Sequence, residues 1–150
     1  MSQSLVCLYV HLVFSTKDRR PMITPEIRSR LYGYIGSVLR AKRARLIRPG
    51  ATRDHVHLLA SLGKQVSISD AVRDIKSKTS GWIHREFPKL RKFAWQGGYA
   101  AFSVSTRELE HVISYIDSQD EHHRRKSFQE ELRTLLNIHN VDFDESHIWD

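Results

Sequence analysis

Strand-like and helix-like segments follow one another along this chain in an order that few folds accommodate. Four segments rich in β-branched and aromatic side chains predict strands, at residues 5–14, 45–48, 55–62 and 99–104. Apolar side chains repeat at helical spacing over residues 24–43 and 67–87, which predicts two helices. The resulting β-α-β-β-α-β order predicts the α+β class and a ferredoxin-like fold, with an antiparallel sheet and helices on one face.

Short polar motifs predict where the helices begin and where the chain turns. Helix starts are predicted at Thr24-Pro25, Ser67-x-x-Asp70, Ser105-x-x-Glu108 and Ser127-x-x-Glu130. The last two add C-terminal helices to the ferredoxin-like unit. Turns are predicted at residues 49–50 and 95–98, and residues 1–150 are expected to form a single domain.

Basic side chains are concentrated in the first two thirds of the chain. Residues 1–100 carry 19 Lys and Arg against 6 Asp and Glu, whereas residues 101–150 carry 5 against 11. An excess of this size produces a positive potential that attracts polyanions. Because phosphate backbones are the commonest polyanions inside cells, nucleic acid is the leading partner.

The apolar segments are too short for a membrane protein. None approaches the roughly 20 residues that a membrane span requires, and the first ten residues lack the basic flank and cleavage site of a signal peptide. We therefore expect a cytoplasmic protein without a membrane partner. The single Cys7 cannot form a disulfide within the chain. Because it lies in the apolar first strand, we expect it to fill space in the core.

Two histidines stand on the third predicted strand with one residue between them. Because side chains alternate along a strand, His55 and His57 point to the same face while Val56 and Leu58 point into the core. Two neighbouring imidazoles can hold a divalent metal ion with a further ligand, or bind phosphate when protonated. The alternative is two half-exposed histidines that make ordinary hydrogen bonds.

Three polar residues share one face of the third predicted helix. His111, Tyr115 and Gln119 are spaced by four residues, opposite the apolar residues of that helix. A tyrosine beside a metal ion can act as a nucleophile, and an amide oxygen can bind Mg²⁺ or Mn²⁺. The alternative is a tyrosine half buried in the core next to a solvated glutamine.

Several blocks of sequence together resemble one known family. They are residues 9–17 (YVHLVFSTK), 19–21 (RRP), 54–59 (DHVHLL), 95–99 (WQGGY), 102–105 (FSVS), 115–119 (YIDSQ) and 121–130 (EHHRRKSFQE). The family is that of the single-tyrosine HUH transposases, of the insertion-sequence and REP-associated type. These enzymes act on single-stranded DNA, and the resemblance covers nearly the whole chain.

The resemblance assigns a role to each residue of the two motifs. It implies that His55 and His57 are metal ligands, that Gln119 is the third protein ligand and that Tyr115 is the nucleophile. The implied reaction cleaves and rejoins single-stranded DNA at hairpin-bearing ends through a 5′-phosphotyrosine intermediate. The resemblance also implies Mg²⁺ or Mn²⁺ as cofactor and a homodimer whose active site can be shared between subunits. By ligand chemistry alone, the same residues are also compatible with Zn²⁺.

Further residues are candidates for contact with DNA or with the metal ligands. The candidate nucleic-acid-binding residues are Lys17, Arg19, Arg20, Arg53, Lys76, Lys78, Trp95, Arg124 and Arg125. His11, on the strand next to the histidine pair, and His111 are candidates for supporting contacts around the metal. For His11 the alternatives are a contact with DNA and a core histidine whose hydrogen bonds are satisfied. A solvated face is the alternative for each basic group taken singly.

Two other functions fit the same residues. A domesticated relative would bind hairpin DNA or RNA without transposing. A metal-dependent phosphodiesterase would use water as its nucleophile and would form no covalent adduct with DNA.

Overall fold

The computed structural model describes residues 2–122 and 125–150, apart from the side chains of residues 121 and 122. Its strands are β1 Tyr9–Ser15, β2 Arg45–Ala51, β3 His55–Ser61 and β4 Ala100–Val104. Its helices are α1 Pro25–Ala41, α2 Ile68–Glu86, α3 Leu109–Asp117, α4 Gln119–His122 and α5 Phe128–Ile138. The strands form one antiparallel sheet in the order β2-β3-β1-β4. The predicted α+β class and ferredoxin-like arrangement are confirmed.

One face of the sheet packs against α1 and α2, and we call it the first face. The two central strands contribute to this core the fully buried side chains of Leu12, Phe14, Val56 and Leu58. Successive strand residues point to opposite faces, so the residues between these four point away from α1 and α2.

The opposite, second face is covered by the C-terminal helices. Val13 and Phe102 of the sheet pack with Phe128, Leu132 and Leu136 of α5 in a smaller apolar cluster. Helix α3 contacts β2 and β3. The two helices of the ferredoxin-like unit therefore lie on one face, as predicted, and the added helices close the other.

The first strand begins later than its apolar sequence predicts. Tyr9 is the first residue of β1 that is paired, with Ser61 on one side and Val104 on the other. Strand pairing starts at Tyr9, and Leu5, which precedes the strand, is 81% exposed. Cys7 is exposed as well, so the expectation that it fills the core is wrong.

The predicted turn at residues 49–50 is also wrong, because Pro49 and Gly50 belong to β2. They pair with Leu58 and His57 of β3. Since β2 is an edge strand, the missing N–H of a proline can face away from the ladder, and the strand continues.

The predicted caps fall into two groups. The hydroxyl oxygens of Ser67 and Ser127 accept hydrogen bonds from the backbone N–H groups three residues later, which confirms the caps of α2 and α5. Thr24 and Ser105 make no such bond. A 3₁₀ turn at Thr106–Glu108 precedes α3 in place of the predicted capping box. In the described ranges, no helix has the length and hydropathy to cross a bilayer.

Candidate active site

The histidine pair lies on the second face of the sheet, in contact with a carboxylate from α5. His55 and His57 are both 0% exposed, so neither is the half-exposed histidine of the alternative interpretation. Their Nε2 atoms lie 3.4 Å and 3.0 Å from the same oxygen, Oε1 of Glu131. Two imidazoles and one carboxylate offer ligand atoms within 4.8 Å of one another. This His-His-Glu cluster could hold a divalent metal ion.

Hydrogen bonds at the Nδ1 atoms set the orientation of both imidazole rings. His55 Nδ1 lies 2.6 Å from Oδ1 of Asp54 and 2.8 Å from Oγ1 of Thr52. His57 Nδ1 lies 2.8 Å from Nε2 of His11, on the neighbouring strand. Partners at Nδ1 leave Nε2 directed at the carboxylate, which is how supporting contacts orient histidine ligands in metal sites.

Burial and neighbouring charges shift the pKa values of these histidines in opposite directions. Burial, and then the charge of His57, lower the pKa of His11 to about 3, so His11 stays neutral. Burial also acts to lower the pKa of His55, but hydrogen bonds to Asp54 and Glu131 outweigh it and the pKa is raised. The acidic partners thus favour positive charge at His55.

The hydroxyl group of Tyr115 contacts the other oxygen of the same carboxylate. It donates a hydrogen bond to Oε2 of Glu131, and the phenol ring stands edge-on to His57 at 5.8 Å between centroids. Burial, followed by the charge of Glu131, raises the pKa of Tyr115 above its ordinary value. The phenol is therefore protonated at neutral pH, with a carboxylate in contact with its proton.

The three residues His111, Tyr115 and Gln119 do not all lie on one helix, because only His111 and Tyr115 belong to α3. Helix α3 ends at Asp117, and Gln119 begins the separate helix α4. Gln119 is 2% exposed rather than solvated, and its Nε2 donates to the Tyr115 carbonyl oxygen at 3.4 Å. Its side chain also bonds to Tyr115 in a way that lowers the phenol pKa. His111 is exposed on α3.

Glu131 was not among the predicted site residues, although the sequence contains a signal for it. Phe128, Leu132 and Leu136 form the buried face of α5, and Glu131 lies on that same face at 4% exposure. A carboxylate on the apolar face of an amphipathic helix requires a buried partner. Here the partners are His55, His57 and Tyr115.

A glycine in β2 allows α3 to approach the sheet closely enough for this contact. A Cβ atom added at Gly50 would lie 2.5 Å from Cγ2 of Ile116 and 3.1 Å from its carbonyl oxygen. Ile116 is buried and follows Tyr115 directly. The missing side chain at Gly50 therefore helps to set the distance between Tyr115 and the histidines of the sheet.

An open depression of about 660 Å³ adjoins the His55 end of the site. Thr52 and Asp54, which hold His55, form part of its lining, together with Phe128, whose ring lies 4.6 Å from that of His55. The basic residues in the lining are Arg19, Arg28, Arg53 and Lys126. A phosphate backbone in this depression would meet positive charge next to the histidine pair.

The other candidate DNA-contact residues lie in several places. Lys17, Arg20 and Arg125 are exposed, and Arg124 lies outside the described residues. On α2, Lys78 is exposed, whereas Lys76 donates to the carbonyl oxygens of Gln96 and Gly98 at 2.9 and 2.6 Å. Burial lowers the pKa of Lys76 to about 8.

Trp95, one of the candidate nucleic-acid-binding residues, is buried. It is only 8% exposed, and its Nε1 donates to Oγ1 of Thr79 at 2.9 Å. Its ring packs edge-on against those of Phe14 and Phe93. Trp95 belongs to the apolar core, which corrects its prediction as a nucleic-acid-binding residue.

In sequence, the chain is similar to a class of DNA-processing enzymes, the transposases. A family model described as "Transposase IS200 like" matches residues 4–119. The chain belongs to the IS200-like transposase family, and the resemblance to single-tyrosine transposases is confirmed.

Characterised relatives support the same assignment. The chain is 26% identical over 117 residues to the ISDra2 transposase TnpA of Deinococcus radiodurans, covering 75% of this chain and 84% of that protein. It is 29% identical over 126 residues to the transposase for insertion sequence element IS200 of Salmonella typhimurium, covering 76% and 79%.

Solved structures share the fold. A crystal structure of a transposase-like protein from Deinococcus radiodurans superposes with a TM-score of 0.65 at 24% identity, over 79% of this chain and 98% of that one. A REP-associated tyrosine transposase bound to a REP hairpin superposes with a TM-score of 0.60 at 19% identity, over 82% and 74%.

Proposed function

We propose that residues 1–150 form one domain that cuts and rejoins single-stranded DNA at hairpin-bearing ends, with Tyr115 as the nucleophile. One observation carries the proposal. A single buried carboxylate, that of Glu131, accepts a hydrogen bond from the Tyr115 hydroxyl and lies against Nε2 of both His55 and His57. The nucleophile, a proton acceptor and a candidate metal site are therefore in direct contact.

In the proposed reaction, the Tyr115 oxygen attacks the phosphorus atom of the scissile phosphodiester. A bond forms between that oxygen and phosphorus while the bond from phosphorus to the 3′ oxygen breaks. The protein then carries the 5′-phosphate as a phosphotyrosine, and the departing 3′ oxygen takes up a proton from solvent. Attack by a 3′-hydroxyl on the phosphotyrosine reverses these steps and rejoins a strand.

Glu131 is the proposed acceptor of the tyrosine proton. Burial keeps the phenol protonated, so attack requires a base within hydrogen-bonding distance. Oε2 of Glu131 occupies that position. Gln119, whose side-chain bond lowers the phenol pKa, assists the loss of this proton.

His55, His57 and Glu131 would hold the divalent ion, with Gln119 as the further ligand that the family resemblance implies. The donor set of two imidazoles and one carboxylate, all buried, fits such an ion. Mg²⁺ or Mn²⁺ is proposed, and Zn²⁺ is compatible with the same donors. When bound, the ion would neutralise charge on the scissile phosphate. His11, Asp54 and Thr52 keep the two imidazoles in position.

The basic depression next to His55 is proposed to hold the DNA backbone. Arg19 and Arg53 line it, and the exposed Lys17, Arg20 and Arg125 are proposed to extend the positive surface. The hairpin as substrate is proposed from the REP-associated neighbour, which was solved with a REP hairpin. Tyr115 meets the histidines of its own chain, so a homodimer would not need to share its sites.

The test is incubation of the protein with single-stranded oligonucleotides that carry the hairpin sequences flanking its gene, with Mn²⁺ or Mg²⁺. Wild type is expected to give a shifted, protease-sensitive band on a denaturing gel. Tyr115→Phe is expected to bind the hairpin without forming this adduct. Tyr34→Phe, in helix α1 against the first face of the sheet, is expected to behave as wild type.

Other outcomes would identify the alternative functions. Cleavage without an adduct that survives Tyr115→Phe would indicate a phosphodiesterase using water. Hairpin binding by wild type without any cleavage would indicate a binding protein.

A further inference from the structure

A second cavity lies between β4, α3 and α5. Its volume is about 430 Å³, and Tyr115 is one of the residues that line it. The apolar part of the lining comes from Phe102, Val112, Leu135 and Ile138. We call it the Tyr115 cavity.

The walls of the Tyr115 cavity suit a flat, largely apolar group with polar edges. The ring of His139 is stacked on that of Phe102 at 4.5 Å between centroids, which gives one side an aromatic surface. Ser105 and Glu108 add a hydroxyl and a carboxylate to the lining. These groups can accept hydrogen bonds from ring N–H or exocyclic amino groups, whereas the carboxylate disfavours an anion such as phosphate.

We propose that the Tyr115 cavity receives one unpaired nucleobase of the DNA strand, adjacent to the phosphate that Tyr115 attacks. This inference rests on the proposed function. It adds that the cavity helps to determine where the strand is cut. Aromatic and apolar walls bind single-stranded bases by stacking, because every base has a flat face.

The position of the cavity supports a nucleotide as its occupant. Tyr115 donates its hydroxyl hydrogen bond to Glu131 of the candidate active site and is also one of the residues that line the cavity. His11, which holds His57, lines the cavity as well. The cavity and the candidate active site therefore share two residues, and a nucleotide whose phosphate lies at the Tyr115 hydroxyl would have its base next to the cavity.

Ile138 at the same cavity is 66% exposed although it is large and apolar. Such an exposed apolar side chain could instead contact a second copy of this chain. That arrangement would change the mass of the protein in solution, whereas a nucleobase would change only the handling of DNA.

The experiment combines a filled cavity with a missing base. Val112→Phe places a larger side chain in the cavity, and Val141→Phe, at an exposed valine outside it, is the matched control. Both variants and wild type are given a set of hairpin-bearing single-stranded oligonucleotides, each with an abasic nucleotide at one position around the cleavage site. Adduct formation is measured on denaturing gels, and mass by light scattering.

We expect Val112→Phe to slow adduct formation on the intact oligonucleotide by about tenfold or more, as for the loss of one stacked base. At one abasic position, wild type and variant are expected to react at the same rate, because no base remains to be excluded. Val141→Phe is expected to follow wild type throughout.

Ile138→Ala provides a second variant in case Val112→Phe fails to fold. Because Ile138 is exposed, its truncation should change stability little. This variant is expected to show a smaller decrease in the rate of adduct formation, which disappears on the same abasic oligonucleotide.

The proposal is overturned if both cavity variants react like wild type on the intact strand. It is also overturned if no abasic position removes the difference in adduct formation between wild type and the cavity variants. A third contrary result would be a wild-type dimer that the variants convert to monomers, with a loss of activity in proportion to the loss of dimer. If wild type itself forms no adduct, the proposed function fails instead.

Discussion

The two faces of the sheet are built from alternate residues of the same strands, yet they are stabilised differently. On the first face, Leu12, Val56 and Leu58 pack among the apolar side chains of α1 and α2. On the second face, His57 and His11 are buried to a similar degree but are held by hydrogen bonds. Apolar packing tolerates many combinations of side chains of suitable volume, whereas a buried polar group requires its particular partner.

The difference separates stability from activity within one small sheet. Burial on the first face is not directional, so it can provide stability without fixing an individual atom. Burial on the second face fixes the distances between Tyr115, Glu131 and the histidines. Variants of the apolar residues on the first face should therefore change stability, and variants of the hydrogen-bonded polar residues on the second face should change chemistry.

The largest effect is expected from Glu131→Gln on the second face. Glutamine keeps the shape of the side chain but cannot take the tyrosine proton, so adduct formation should fall by on the order of 10²- to 10⁴-fold. Glu130→Gln, at the exposed neighbouring position of α5, is the matched control and should keep its activity. Single-turnover gels measure both rates, and an adduct formed by Glu131→Gln at the wild-type rate would contradict the proposed role.

The opposite result is expected from Leu58→Ala on the first face. Removing this fully buried side chain leaves a cavity and should cost about 2–5 kcal/mol of unfolding free energy, measured in urea. Under conditions where the variant stays folded, its rate of adduct formation should match that of wild type. Leu5→Ala, at an exposed leucine, should change stability by less than about 0.5 kcal/mol. Loss of activity in folded Leu58→Ala would show that the two faces are not separable.

Divalent ions should stabilise the protein only through the second face. An ion bound to the folded state alone adds about 2.7 kcal/mol when its concentration is a hundred times the dissociation constant. Thermal unfolding with Mn²⁺ should show this gain for wild type, and a chelator should remove it. His55→Ala should lose the gain and the control His147→Ala, at an exposed histidine, should keep it. An equal gain in His55→Ala would place the ion elsewhere.

The smallest effect is expected where α3 touches β2. Gly50→Ala should cost about 1–3 kcal/mol, because the new Cβ would overlap Ile116 and displace α3. The displacement should also slow adduct formation by moving Tyr115. Gly33→Ala in α1 is the control, since no atom beyond its chain neighbours and the nearby backbone of its own helix lies within 4 Å of the added Cβ. This variant should stabilise the protein by roughly 0.5–1 kcal/mol. Equal activity of the two variants in the folded state would contradict a positioning role for Gly50.

Much of the fold was predictable because its determinants are local. The β-α-β-β-α-β order follows from periodicities of two and 3.6 residues, and the caps at Ser67 and Ser127 follow from motifs of four residues. The failed predictions concern sites where a distant segment decides. Pro49 and Gly50 look like a turn until their pairing with β3 is known, and Trp95 looks accessible until Phe14, Phe93 and Thr79 surround it.

For the candidate site, the sequence by itself determined that His55 and His57 share one face, because strand geometry requires it. Tertiary structure alone decided that Glu131, 74 residues beyond His57, comes into contact with it and with Tyr115. It also decided that Gln119 is buried after a break between α3 and α4. Periodicity fixes only the direction of a side chain on its own element, whereas the packing of α3 and α5 on the sheet determines which side chains meet.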